Sequence, residues 1–240
     1  MIPQEKILVT GGSGLLGTAL KKLLPNADYP GSDEFDITDP AQMDAYISAR
    51  DFGLLFHGGA FTSPPKINEN PKLALDVNIV GTANVVSLCM RHNLKLIYIS
   101  TDYVFDGNKG DYLEDDPVFP VNKYAWSKLG GECAVRLYDN SVIVRTTFGP
   151  DSFPYPKAFI DQWTSRENVT KTARMLVELL KYDDLTGTVH VGGRRKSVYE
   201  YAQENSNGRH IDELSTNEID FVVPRDTSLN CNKYHNIVKK

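Results

Sequence analysis

Val9-Thr10-Gly11-Gly12-Ser13-Gly14-Leu15-Leu16-Gly17 follows a short apolar run, residues 6–9 (KILV), and opens a helix-like run over residues 15–24. Its glycines fall in a G-x-x-G-x-x-G spacing through Gly11, Gly14 and Gly17. One glycine is needed where the chain turns tightly out of a strand, another where backbone approaches a pyrophosphate, and a third where the helix packs close to the strand. The helix that starts there turns free N–H groups and its positive end toward a phosphate. A tight strand–helix turn without a ligand would use the same residues. What favours a dinucleotide is the context: first strand, turn, helix, and then further βα units.

Those units can be read outward from the turn. Residues 53–57 (GLLFH), 95–100 (KLIYIS) and 141–145 (SVIVR) are strand-like, and a further strand is expected to end near Ala27-Asp28-Tyr29-Pro30. A helix begins at Asp39-Pro40, with Asp39 as N-cap and Pro40 in the first turn. Others are expected from Asn70-Pro71 to about His92 and over residues 122–137. Strands alternating with helices imply right-handed crossovers and an α/β, doubly wound parallel sheet of the Rossmann type. After Phe148 the pattern changes to a proline-bearing loop, GPDSFPYPKAF. A helix over 168–181, a strand over 188–191, and a helix capped by Ser197 with Glu200 three residues later follow. From Asn205 the tail is polar and weakly patterned. The expected division is a dinucleotide-binding domain over 1–148 and a small substrate lobe over 149–240, packed on the sheet's carboxyl edge.

Composition narrows the function. The 240 residues carry 31 acids against 26 bases, a formal net charge of −5, which argues against a nucleic-acid partner. Cys89, Cys133 and Cys231 are widely spaced and form no CxxC pair, so neither a disulfide framework nor a zinc site is expected. The five histidines show no ligand spacing, and no metal is expected. No apolar run approaches the ~20 residues of a membrane span. The N-terminus MIPQEKILVTGG runs straight into a strand without the pattern of a signal peptide, so a cytoplasmic protein with no membrane partner is expected.

Tyr124-Ala125-Trp126-Ser127-Lys128 places a tyrosine and a lysine at i and i+4, on one face of a helix. A lysine ammonium beside a phenol would stabilise phenolate and lower the tyrosine pKa from about 10. Such a tyrosine can give a proton to a developing alkoxide. With 12 tyrosines in the chain a chance match is easy. The pair gains weight from Thr101, which follows KLIYIS at a carboxyl edge of the sheet, where its hydroxyl could meet a substrate carbonyl. Glycine turn, strand-end hydroxyl and Tyr/Lys helix would then converge on one cleft.

Three segments carry a resemblance: TGGSGLLG (10–17), STDYVFDG (100–107) and NKYAWSKLGGE (122–132). Together they resemble the extended short-chain dehydrogenase/reductase superfamily, and within it the dTDP-4-dehydrorhamnose reductase group. Further agreement runs through Asp36-Ile37-Thr38-Asp39, His57 to Thr62, Val77-Asn78 and Val144-Arg145-Thr146. The resemblance implies Thr101, Tyr124 and Lys128 as the catalytic set. It implies that Gly11, Ser13, Gly14, Leu15 and Gly17 hold a pyrophosphate, with Tyr124 and Lys128 on the nicotinamide ribose. It places Asp36 and Ile37 by the adenine, and Gly59, Ala60 and Phe61 along the dinucleotide path. The implied cofactor is NADP or NAD. The implied reaction is reduction of a 4-keto nucleotide sugar such as dTDP-4-dehydrorhamnose, in a superfamily whose members are often homodimers. The sequence departs from the group in being shorter after Phe148 and in the glycine-rich HGGA stretch. An epimerase on the same scaffold would use the same Tyr/Lys pair; an epimerase-reductase would add an acid/base pair, often with a cysteine near the strand end, where Ser100-Thr101-Asp102 stands instead. Cys89 and Cys133 are expected as buried packing residues. A dinucleotide-binding regulatory subunit without catalysis is the remaining alternative.

Overall fold

Five short runs pair as one parallel sheet: β1 (Ile7–Thr10), β2 (Leu54–His57), β3 (Lys95–Thr101), β4 (Ser141–Thr146) and β5 (Gly187–Val191), in that spatial order. The structure, a computed structural model, describes residues 2–219 and 222–239. All residues of β1 to β4 are buried, because helices cover both faces of the sheet. The strand expected near Asp28 contracts to one parallel bridge between Leu8 and Asp28. Asp28 exchanges backbone hydrogen bonds with Ile7 and Val9, and Pro30, which lacks an N–H, ends the pairing.

On one face lies α1 (Leu15–Leu23), and on the other are α2 (Pro40–Ser48), a short α3 (Pro64–Glu69), the long α4 (Pro71–His92) and α5 (Lys123–Val135). The chain beyond Phe148 adds α6 (Val169–Leu179), packed beside α1, and then β5, the sheet's last strand. It also adds α7 (Val198–Glu204) and α8 (Asn232–Val238). The capping box expected at Ser197 is present: the Glu200 N–H donates to Ser197 Oγ at 3.0 Å, and the Ser197 N–H donates to Glu200 Oε2 at 2.6 Å. α8 lies in the tail that reads as unpatterned.

Contrary to the expectation that no run approaches a membrane span, α4 is long and apolar enough by length and composition. Here it is a core helix, with Ala74, Val85, Val86, Leu88 and Cys89 buried. Its middle, Leu75–Gly81, winds as a π-helix. The widened turn lies beside α5, where Gly130 and Gly131 leave room for Ile79 and for Tyr98.

Small strand pairs assemble the remaining segments over the carboxyl ends of the sheet. Residues 157–159 pair with 212–214, and 163–164 with 196–197. Phe153, Ala158, Val198, Tyr201, Ala202 and Ile211 form a separate small core there. α5 is tied to the sheet by Arg145 of β4, which donates to Glu132 at 3.0 and 2.9 Å, both side chains fully buried. A bidentate pair of this kind fixes orientation, and it does so one turn beyond Lys128.

Candidate active site

A cavity of about 540 Å³ opens over the carboxyl ends of β1, β3 and β4, within the size range of small-molecule sites. At one end is the glycine turn. Gly11 has φ +78°, and a Cβ there would lie 2.8 Å from the backbone of Gly58. A Cβ on Gly17 would run into the Gly11 carbonyl oxygen. Both positions therefore require glycine on steric grounds. α1 starts after Gly14 with no side-chain cap, which leaves its first N–H groups free for an anion. Gly11, Ser13, Gly14, Leu15 and Gly17 all line the cavity, as does Ala60.

The loop after β2 is held from below. His57 is fully buried, with Nδ1 2.7 Å from Thr10 Oγ1 and Nε2 3.1 Å from Thr82 Oγ1. Burial and the nearby Lys128 push its pKa down to about 3, so the ring is neutral. Asn78, also fully buried, accepts from the Phe61 N–H at 2.8 Å and donates to the Phe61 carbonyl at 2.9 Å and to Ser127 Oγ at 2.8 Å. Gly59 donates to Thr10 Oγ1 at 3.1 Å. Gly59 and Phe61 thus shape the loop through backbone, and only Ala60 of the three faces the cavity. Asp36 and Ile37 stand outside the lining: Asp36 caps a turn by accepting from Thr38, and Ile37 packs against Gly81.

Thr101, Tyr124 and Lys128 are brought together at the cavity's centre. α5 is capped by Asn122, which accepts from the Ala125 N–H at 2.9 Å, so Tyr124 sits in its first turn. The Tyr124 phenol lies beside the Thr101 hydroxyl on the cavity wall. Thr101 Oγ1 donates to Asp102 Oδ1 at 3.1 Å, and Asp102 Oδ2 accepts from Thr227 Oγ1 at 2.6 Å. Burial raises the Asp102 carboxyl to about 6 against these donors.

The electrostatics correct one expectation. Burial holds Tyr124 above the ordinary phenol value, and the Asp102 carboxylate adds to the rise. Lys128 does not pull it down. Burial draws Lys128 itself to about 7, and its Nζ lies 4.2 Å from the centroid of the Tyr98 ring. Two desolvated groups each favour their neutral form, and the Lys128 ammonium lies over the Tyr98 ring. The site holds a protonated tyrosine, the form that can donate.

Other residues fall as follows. Ser100 and Thr146 line the cavity, and their hydroxyl oxygens are buried without a hydrogen-bond partner. Tyr103, Asp102 and Arg166 line the cavity and were not singled out from sequence as site residues. Phe105 is core, stacked on Tyr112 at 4.1 Å. Arg225 is exposed and outside the lining. Arg194, Arg195 and Lys196 pair with Glu204, Asp226 and Glu204. Cys133, expected to be buried, is exposed, because its place on α5 faces away from the sheet.

A family model described as the RmlD substrate binding domain matches residues 5–232. The chain belongs to the RmlD substrate binding domain family. Among its relatives, a dTDP-4-dehydrorhamnose reductase of Aggregatibacter actinomycetemcomitans is 31% identical over 78% of this chain. The chain spans 62% of that enzyme's length. The methionine adenosyltransferase 2 subunit beta of Rattus norvegicus is 26% identical over 97% of this chain and 82% of its own. A dTDP-4-dehydrorhamnose reductase of Bacillus anthracis, solved in complex with NADP, superposes with a TM-score of 0.85 at 26% identity, covering 96% of this chain and 91% of that one. The Rossmann-type α/β fold is shared with these RmlD-family structures.

Proposed function

We propose that the protein is a cytoplasmic oxidoreductase that uses NADP or NAD to reduce the keto group of a 4-keto nucleotide sugar, of which dTDP-4-dehydrorhamnose is the first candidate. The observation that carries this reading is the single cavity joining the glycine turn to Thr101, Tyr124 and Lys128. The named reductase relatives and the NADP complex support the substrate class and the cofactor.

The residues present fit a dinucleotide. The turn from Gly11 to Gly17 and the open start of α1 would take the diphosphate, and Lys128 would take the ribose next to the nicotinamide. The bound cofactor supplies a hydride. Tyr124 donates its proton to the substrate oxygen as negative charge develops there. Thr101, whose single hydroxyl proton rests on Asp102 in the free site, would turn that proton to the substrate oxygen and orient it. Lys128, near half-protonated at neutral pH, can help return a proton to Tyr124. Proximity and preorganised donors account for the acceleration. Among the described residues no cysteine lines the cavity, which argues against a bifunctional epimerase-reductase of the cysteine-bearing kind.

A second reading, a dinucleotide-binding subunit without catalysis, is favoured by one observation: the similarity to the adenosyltransferase subunit beta extends over nearly the whole chain. One assay separates the two. With dTDP-4-dehydrorhamnose, NADPH or NADH should be consumed by the wild type, and Tyr124→Phe should lower kcat by about 10²- to 10⁴-fold, the worth of a general acid. A wild type that binds both cofactors and turns over neither would sink dTDP-4-dehydrorhamnose as the substrate and leave another keto sugar or the subunit reading to lead.

A further inference from the structure

Arg166 stands at the end of the cavity away from the glycine turn. It precedes α6, and its Nε donates to Thr147 Oγ1 at 3.4 Å, just past the carboxyl end of β4. It lines the cavity together with Thr146, Thr147 and Phe148. It forms no ion pair among the described residues, whereas Arg145, Arg194, Arg195, Lys171 and Lys196 each pair with an acid. Its charge favours the ionised forms of Asp102 and Tyr103, and all three line the same cavity as Thr101 and Tyr124. Arg166 is half-buried, has the Tyr201 ring 5.9 Å away, and among the described residues has no acid within ion-pair distance, so its N–H donors can pair with an anionic ligand in the cavity.

Which anion it meets follows from the sheet. β1 and β4 are three strand spacings apart, about 14 Å. A cofactor whose diphosphate rests on the glycine turn cannot also bring that diphosphate to Arg166. The second diphosphate in the proposed reaction belongs to the substrate, where it joins nucleoside to sugar. We propose that Arg166 is the cation that clamps the diphosphate of the nucleotide-linked substrate, with the Thr147 hydroxyl beside it. Arg166 would then be a binding and specificity residue that holds the sugar with its keto oxygen against Thr101 and Tyr124. Its fork of N–H donors matches two phosphate oxygens at once.

The inference rests on the nucleotide-sugar reading, and its test reads binding rather than turnover. Calorimetric titration with dTDP and with UDP, in the presence of NADP, compares wild type with Arg166→Gln and Arg166→Lys. The expected result is a loss of roughly 10- to 100-fold for Arg166→Gln, the worth of a charge-assisted hydrogen bond. A smaller loss is expected for Arg166→Lys, which keeps the charge and the stem, with NADP affinity unchanged in both. Arg166→Lys carries the test if the glutamine variant does not fold. Equal affinity in wild type and variants overturns the proposal. So does a loss of NADP affinity in step with dTDP, which would assign the cation to the cofactor. A wild type that binds neither diphosphate overturns it too, while the Tyr124→Phe assay decides separately whether the protein is a reductase.

Discussion

Lys128 is buried to 3% exposure, which strips its ammonium of hydration, and Glu132 one turn along the helix returns only part of that loss. Its pKa falls from 10.5 to about 7. Below about pH 7 the folded and unfolded chains both hold the proton, and the penalty on folding is full. Between there and the unfolded value the unfolded chain binds more protons, so stability rises with pH. Lys128→Met is therefore expected to raise the thermal midpoint most at about pH 6, with the gain fading toward about pH 10, while activity falls. A gain that is the same at both pH values would mean improved packing, not relief of a buried charge. Spacing alone exposes Thr101, Tyr124 and Lys128, since i and i+4 on a helix and a hydroxyl at a strand end are local patterns. Asp102 and Arg166 show no such pattern. Asp102 depends on Thr227, 125 positions away, and Arg166 matters because folding sets it on the cavity wall beside Thr147 with no acid in ion-pair reach among the described residues.

Among the elements, the glycine turn is both the clearest in sequence and the least tolerant of change. In Gly17→Ala the new methyl would occupy the place of the Gly11 carbonyl oxygen and lie 2.5 Å from Gly12 Cα. All of these contacts are backbone, so no side chain can swing aside. The expected cost is about 1–3 kcal/mol or more, or roughly 2–4 °C in thermal midpoint for each kcal/mol in a chain of this size. NADPH affinity, followed by quenching of protein fluorescence, should weaken as well; an unaltered affinity would mean that the turn does not hold the dinucleotide. The sheet strands are legible for the related reason that two-sided burial demands unbroken apolar runs, as in KLIYIS. What the sequence conceals are elements held by their surroundings. α8 carries little apolar patterning and is anchored through buried Tyr234. The strand at Asp28 stops after one bridge at Pro30, and the π-helical turn in α4 answers to Gly130 and Gly131 on α5.

At the scale of the whole molecule, residues 224–230 work as a strap that joins parts distant in sequence. The Asp226 N–H donates to the Gly107 carbonyl, the Tyr112 N–H to the Ser228 carbonyl and the Trp163 N–H to the Arg225 carbonyl, at 2.9, 2.9 and 2.7 Å. In the middle of this strap Thr227, 1% exposed, gives its hydroxyl proton to Asp102. The carboxyl end of β3, with the proposed catalytic Thr101, is thus fixed by a segment that comes late in the chain, and Thr227→Val tests that dependence with almost no change of shape. Removing the donor leaves a buried carboxylate oxygen unsatisfied, at about 1–3 kcal/mol. Asp102 already titrates near 6 in the folded protein, above its ordinary 3.8, and losing Thr227 raises it further. A folded-state pKa above the unfolded one penalises folding at higher pH and is harmless where both states are protonated. Urea unfolding should therefore show the variant's deficit in full at about pH 7.5 and much reduced at about pH 4. A deficit of equal size at both would place the fault in packing of the strap, and would free Thr101 and Asp102 from any dependence on the tail.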